Sequence, residues 1–138
     1  MKAQVMAGHL IRRLNQISTH TFAQHMQKSG FELTPVQFAA LDAIAASPGI
    51  DQAGVANKIA YDRATIGGVI DRLEQKGYVT RSISKQDRRA REVRLSEKGS
   101  SVLEEILPIV TALQNDILSK LDEDERSEFL RLAKKAVY

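Results

Sequence analysis

Cysteine is absent from the 138 residues. No disulfide can form, no thiolate can hold a metal, and no thiol can act as a redox sensor. No apolar run approaches the roughly 18 residues a membrane-spanning helix requires. Met1 to Met6 carries one lysine and no long apolar stretch, which argues against a secretory leader. The chain is therefore expected in the cytoplasm, with no membrane partner. Also missing are a Gly-rich phosphate loop, a nucleophile elbow and a metal-ligand signature. The acidic run Asp122 to Glu125 reads as a capped helix start, so no enzyme chemistry is expected. The three histidines do not repair this. His9 and His20 would lie about 16 Å apart along one helix, and His20 and His25 would point roughly 140° apart. No metal site and no cofactor are expected.

What is present is a core and an uneven charge. Hydrophobic residues make up 43% of the chain, enough for one globular subunit. The net charge is +3. From Lys58 to Lys98 there are eleven basic and six acidic residues, a local net of +5; the rest holds nine basic and eleven acidic, a net of −2. Basic charge gathered in one segment suits a polyanion partner, although a solvated basic surface would look the same on charge alone.

Hydrophobic spacing divides the chain into six helices and a hairpin. Gln4 to Lys28 is the first helix, closed by Gly30. Thr34-Pro35 starts the second, with Phe38, Leu41 and Ile44 or Ala45 inward, and Ser47-Pro48-Gly49 stops it. Asp51 caps a third that runs to Ala60. Asp62 caps a fourth, Arg63 to Lys76, whose stripe is Ile66, Val69, Ile70 and Leu73, and Gly77 ends it. The period then changes. Tyr78 to Ile83 and Glu92 to Leu95 are strands around a polar, basic tip. A fifth helix runs from Ser96 to about Lys120, where Pro108 should kink it. Asp122 and Glu125 fit a capping box for a sixth. The outer helices are wide in apolar surface for so small a chain. Residues 1–33 and 99–138 therefore read as a dimerisation layer and 34–98 as a binding domain, in one compact subunit. Completing a monomeric core is the alternative.

Helices three and four, joined around Ala60-Tyr61-Asp62, make a helix-turn-helix. With the stripe inward, Ala64, Gly68, Asp71 and Gln75 face outward, flanked by Thr65, Gly67 and Arg72. Two adjacent glycines cost about 1 kcal/mol each against alanine in a helix. Close approach to a DNA groove would explain them; tight packing on another helix is the competing reason. A recognition helix enters the major groove by its N-terminal residues, here Arg63, Ala64, Thr65, Gly67 and Gly68. The hairpin tip brings Lys85, Arg88, Arg89 and Arg91 within seven residues, suited to a narrow minor groove. Asp87 would repel phosphate, so it reads as a brace aiming a neighbouring arginine or pairing with Arg72.

The run from Asp62 to Val79 and the wing Asp87-Arg88-Arg89 with Val93, Leu95-Ser96 and Gly99 resemble the MarR family, the multiple antibiotic resistance regulators. Leu33 to Phe38 resembles that family's usual start of the second helix, and the likeness covers nearly the whole chain. The resemblance implies a winged helix-turn-helix, mainly helical with a small β-hairpin, in an intertwined homodimer. It implies a bacterial or archaeal repressor bound to a pseudopalindromic double-stranded operator and released by a small molecule. It makes Arg89 the minor-groove arginine and Asp87 its brace. The glycine pair and the Leu-Thr-Pro-x-Gln-Phe run are similar to members that govern the catabolism of aromatic acids.

An anionic aromatic effector needs a cation, a donor and apolar walls. His9, Arg13 and Ile17 from the first helix and Phe38 from the second could supply them, with Arg13 gripping the carboxylate. Arg12 and Arg13 could equally be surface residues or partners in dimer salt bridges. A winged-helix regulator under metal or protein control, or a winged helix that docks only proteins, would be the rivals. Steep salt dependence of duplex binding separates the last of these.

Overall fold

Local side-chain chemistry sets most of the element boundaries in the computed structural model, which describes residues 1–138. Helix α1 spans Ala7–Ser29 and stops at Gly30, whose φ of 77° closes the last turn. Helix α2, Pro35–Ala46, begins in a capping box. The Thr34 hydroxyl accepts from Gln37 N–H, and the Gln37 side chain accepts from Thr34 N–H. Asp51 caps α3, Gln52–Lys58, by accepting from Gly54 N–H at 2.7 Å. Helix α4 spans Ile66–Gln75. Ser96 caps α5, Glu97–Ile117, which continues through an exposed Pro108. Asp122 and Glu125 form the expected capping box of α6, Glu123–Val137.

Several boundaries differ from the sequence reading, each for a local reason. The first helix does not start at Gln4, because Lys2–Val5 is a separate 3-10 turn and Met6 is extended. The third ends at Lys58, and Ala60 takes a left-handed φ of 56° to turn the chain. The fourth starts at Ile66 rather than Arg63. The Asp62 carboxylate accepts from Ala64 N–H, and its carbonyl accepts from both Thr65 and Ile66 N–H, so Arg63 to Thr65 form a turn. In α2 the small inward residues are Ala40 and Ala43, while Ala45 is exposed.

The hairpin is part of a three-stranded antiparallel sheet. Strands β2, Val79–Ile83, and β3, Arg91–Leu95, pair with Val79 opposite Leu95 and Arg81 opposite Val93. A two-residue strand β1, Ile50–Asp51, adds to the other edge of β3, giving the order β1-β3-β2. Asp51 thus ends the sheet and begins α3.

One contiguous core joins all of this. Phe22 and Met26 of α1, Leu41 and Ile44 of α2, Val55 of α3, Ile70 and Leu73 of α4, Val79, Val93, and Ile106 and Leu113 of α5 are buried together. Each such side chain contributes about 1.5–3 kcal/mol on leaving water. Helix α6 contributes nothing to this core: none of its residues is buried, and Leu130 and Leu132 are about half exposed. Val5, at 83%, and Ile11, at 65%, are likewise open at the other terminus. The apolar bands of the two termini are thus left uncovered within one subunit.

Of the glycine positions, the one at the corner between the sheet and α5 has the least room. Ser96 N–H donates to the Tyr78 carbonyl at 2.9 Å, and its hydroxyl donates to the Gly77 carbonyl. Gly99 then passes so close that a Cβ there would lie 1.9 Å from the same Tyr78 oxygen. The Lys98 ammonium covers the Tyr78 ring at 5.5 Å.

Candidate nucleic-acid interface

Helices α3 and α4 form the helix-turn-helix, with α4 packed inward on Ile66, Val69, Ile70 and Leu73 as its spacing predicts. Around the two glycines its outer face is open, although Asp71, expected outward, is paired with Arg81 of β2. A Cβ on Gly67 would come no nearer than 3.7 Å to Gln52 Nε2, and one on Gly68 no nearer than 3.6 Å to Arg72 Nη1. Neither glycine has a positive φ. No packing and no backbone conformation inside the subunit therefore demands either glycine, which removes tight helix packing as their reason. Replacing Gly68 with alanine is expected to stabilise the fold by about 0.5–1 kcal/mol. The same change should weaken duplex binding roughly 10-fold, by placing a methyl between helix and groove. Thermal melting and anisotropy titration of one sample read both; a raised melting temperature with unchanged affinity would leave the glycines without a DNA role.

Arg63, Ala64 and Thr65 are exposed in the turn that leads into α4. The Thr65 hydroxyl donates to the Asp62 carbonyl at 3.2 Å. Arg72 folds back along the helix, donating to the Gly68 carbonyl at 3.3 Å.

The wing tip is built on two side chains. Ser84, buried at its base, accepts from Gln86 and Asp87 N–H. Asp87 Oδ1 accepts from Arg89 N–H at 3.0 Å and from Arg89 Nε at 3.4 Å. Asp87 therefore braces Arg89 and makes no pair with Arg72. The Arg89 side chain is otherwise free, at 93% exposure. A cleft of about 380 Å³ between wing and α3 is lined by Asp51, Gln52, Arg63, Asp87, Arg89 and Arg91, among others. The fold thus brings Arg63, more than twenty residues away in sequence, to Arg89 and Arg91 on one polar, cationic recess. Lys85 and Arg88 are exposed on the same tip, outside that cleft.

Arg81 was not singled out by the sequence reading. From β2 its guanidinium donates to Gln52 Oε1 of α3 at 2.9 Å and to Glu74 Oε1 of α4 at 2.9 Å, and it lies 2.6 Å from Asp71 Oδ1. The hydrogen bond with Glu74 holds the Arg81 pKa above its ordinary value and the Glu74 carboxyl below its own. The signal was available: strand alternation puts Arg81 in the inward phase with buried Val79, where a cation needs partners.

The four expected effector residues do not meet within one subunit. Arg13 and Ile17 line an apolar recess of about 380 Å³ between α1, the end of α5 and α6, with Leu14, Ile117 and Phe129 in its wall. His9 is half-buried one turn before Arg13 but lines neither this recess nor the cleft at Phe38. Phe38 packs its ring 6.3 Å from that of Phe22 and borders a separate cleft with Asp42 and Lys58.

The MarR family model matches residues 33–90, from the start of α2 to the wing tip. The Escherichia coli transcriptional regulator HosA is 31% identical over 129 residues, which cover 94% of this chain and 93% of HosA. The solved structure of Bordetella bronchiseptica BpsR, whose DNA binding is regulated by 6-hydroxynicotinic acid, is similar with a TM-score of 0.86 at 30% identity. It covers 96% of this chain and 94% of its own. The transcriptional repressor CouR, bound to a 23-mer DNA duplex, is similar with a TM-score of 0.84 at 26% identity over 96% of this chain and 93% of its own.

Proposed function

Because the chain belongs to the MarR family, and is thereby a DNA-binding transcriptional regulator, we propose that it is a homodimeric repressor released from its operator by a small aromatic carboxylate. The observation that carries the reading head is the cleft that unites Arg63 of the turn with Arg89 and Arg91 of the wing. Residues 34–98 read the DNA. Thr65, Ala64, Gly67 and Gly68 meet the major groove, Arg63 and Arg72 flank them on phosphate, and Arg89, aimed by Asp87, enters the minor groove. Lys85, Arg88 and Arg91 add phosphate contacts. Residues 1–33 and 99–138 pair the subunits, because α6 and the first turns of α1 leave apolar faces uncovered. Two heads related by a two-fold axis then match a pseudopalindrome. The protein acts by binding rather than catalysis, in the cytoplasm where its operator lies.

The effector reading rests on the Arg13 recess. Its volume suits a single substituted ring, its wall is apolar, and Arg13 offers a guanidinium at the rim. Arg13 is held only by Gln16, at 3.1 Å and exposed, so it is free to turn onto a carboxylate. BpsR supports the ligand class, since 6-hydroxynicotinic acid is a carboxylate on a hydroxylated ring. His9 and Ile17 lie on the same helix as Arg13; Phe38 packs elsewhere in the subunit, and Leu14 and Phe129 take its place in the wall.

A panel of benzoates, cinnamates and 6-hydroxynicotinate tests this by thermal shift and by duplex release. A ligand present at 100 times its Kd stabilises the native state by about 2.7 kcal/mol, a rise of several degrees. The same compound should free the protein from DNA, and Arg13→Ala should lose the response while keeping duplex affinity. No shift with any compound sinks the effector reading and leaves the DNA reading standing.

A further inference from the structure

Of the arginines on the hairpin, two are ion-paired. Arg89 pairs within the tip, whereas Arg81 crosses to other elements. Its side chain is 22% exposed, with one face against Gln52 of α3 and the other against Asp71 and Glu74 of α4. Glu74 is engaged twice, Nη2 to Oε1 at 2.9 Å and Nε to Oε2 at 3.4 Å, a two-pronged grip that fixes direction as well as distance. Backbone pairing already links β3 to the start of α3 through β1, and Tyr78 N–H to the Leu73 carbonyl of α4. The Arg81 fork is the side-chain link that joins the middle of β2 to both helices of the reading head at once. Apolar contacts tolerate sliding and rotation; a planar guanidinium with three fixed acceptors does not. Arg81 also lies at the root of the lever that ends in Arg89, opposite Val93 in the β2–β3 register. A small rotation here is multiplied along the hairpin before it reaches the tip.

We propose that Arg81 is a positioning residue for DNA binding: by joining Gln52, Asp71 and Glu74 it sets the angle between wing and recognition helix, so that Arg89 arrives at the minor groove when α4 is in the major one. Arg81 need not touch DNA to do this. The inference rests on the reading of α4 and the wing tip as the DNA-contacting parts. The shifted acidity of the pair supports it, since the hydrogen bond keeps Glu74 ionised below the ordinary carboxylate range and the link persists across physiological pH.

The test is a double-mutant cycle on the full-length protein with an operator duplex selected from a random pool. Arg81→Met removes the fork. Arg81→Lys keeps a charge beside both carboxylates but loses the planar grip, and serves as the folded alternative if Arg81→Met melts too early. Each is measured alone and with Arg89→Ala, alongside melting temperature and dimer mass. Arg81→Met is expected to lower affinity about as much as Arg89→Ala, and Arg81→Lys roughly 10-fold. The double variants should bind little worse than Arg89→Ala alone, because a wing that is no longer aimed gains nothing from Arg89. Losses that simply multiply, or full affinity in both Arg81 variants, overturn the proposal. If Arg89→Ala itself binds normally, the reading of the DNA face has failed, and this proposal falls with it.

Discussion

Replacing Arg89 with alanine is expected to lower operator affinity by about 100-fold or more while leaving the protein folded and its association unchanged. The two halves of that expectation have separate causes. The side chain is 93% exposed and held only by Asp87, so its removal takes nothing from the core and should change stability by less than about 0.5 kcal/mol. In the proposed binding mode its contribution is a groove contact, and such contacts are worth about 1–3 kcal/mol each. A symmetric dimer loses two of them at once. Each lost cation should also flatten the dependence of log K on log salt by about one unit per phosphate charge no longer neutralised. Anisotropy titrations from low to moderate salt give both numbers, and sedimentation gives the dimer. Unchanged affinity would remove Arg89 from the interface.

Gly99→Ala should have the opposite profile: a large loss of stability at a position remote from the groove. A Cβ there would sit 1.9 Å from the Tyr78 carbonyl oxygen and 2.8 Å from its carbon, both backbone atoms. Neither can swing aside as a side chain would. The Tyr78 carbonyl is also the acceptor for Ser96 N–H, so moving it breaks the hydrogen bond that starts the turn into α5. Ser96 in turn caps α5 through Gly99 N–H at 3.0 Å. Overpacking costs typically 1–3 kcal/mol, and here a cap and a backbone bond go with it, so at least about 3 kcal/mol is expected. Chemical denaturation measures it. A variant as stable as the parent would mean that the α5 start can back away from β2 at no cost. The contrast with Gly67 and Gly68 is instructive: Gly99 is demanded by the inside of the molecule, whereas nothing inside demands those two.

The boundaries legible in the sequence are those written in side-chain chemistry within a few residues. Thr34 with Gln37, Asp122 with Glu125, and Gly30 and Gly77 past their helices all act locally, and all appear where the sequence places them. What was not legible depends on distant partners. Strand β1 is two residues long and exists because Ile50 finds Val93 across the chain. No periodicity can show in two residues. The start of α4 was misplaced because Asp62 and Thr65 are both plausible caps; Asp62 wins the turn, and the helix proper waits for Ile66. The stripe of α4 was readable from spacing. An acid among cations marked Asp87 as a brace but left Arg72 and the neighbouring arginines open as its partner, and the choice of Arg89 came from the family resemblance. The recess beside Arg13 was only half readable. Arg13 and Ile17 are one turn apart on α1, but whether Phe38 faces them depends on how α2 crosses α1, and it faces Phe22 instead.

Helix α5 is unbroken from the Ser96 corner to Ile117, 21 residues. Such a rod is about 31 Å long. One end is bolted to the sheet by Gly99 and Tyr78; the other borders the Arg13 recess. A tilt of about 5° at the recess would become a displacement of about 3 Å at the sheet end, greater than the tolerance of a hydrogen bond. A guest molecule would thus need to deform almost nothing where it sits to spoil the fit where the protein reads.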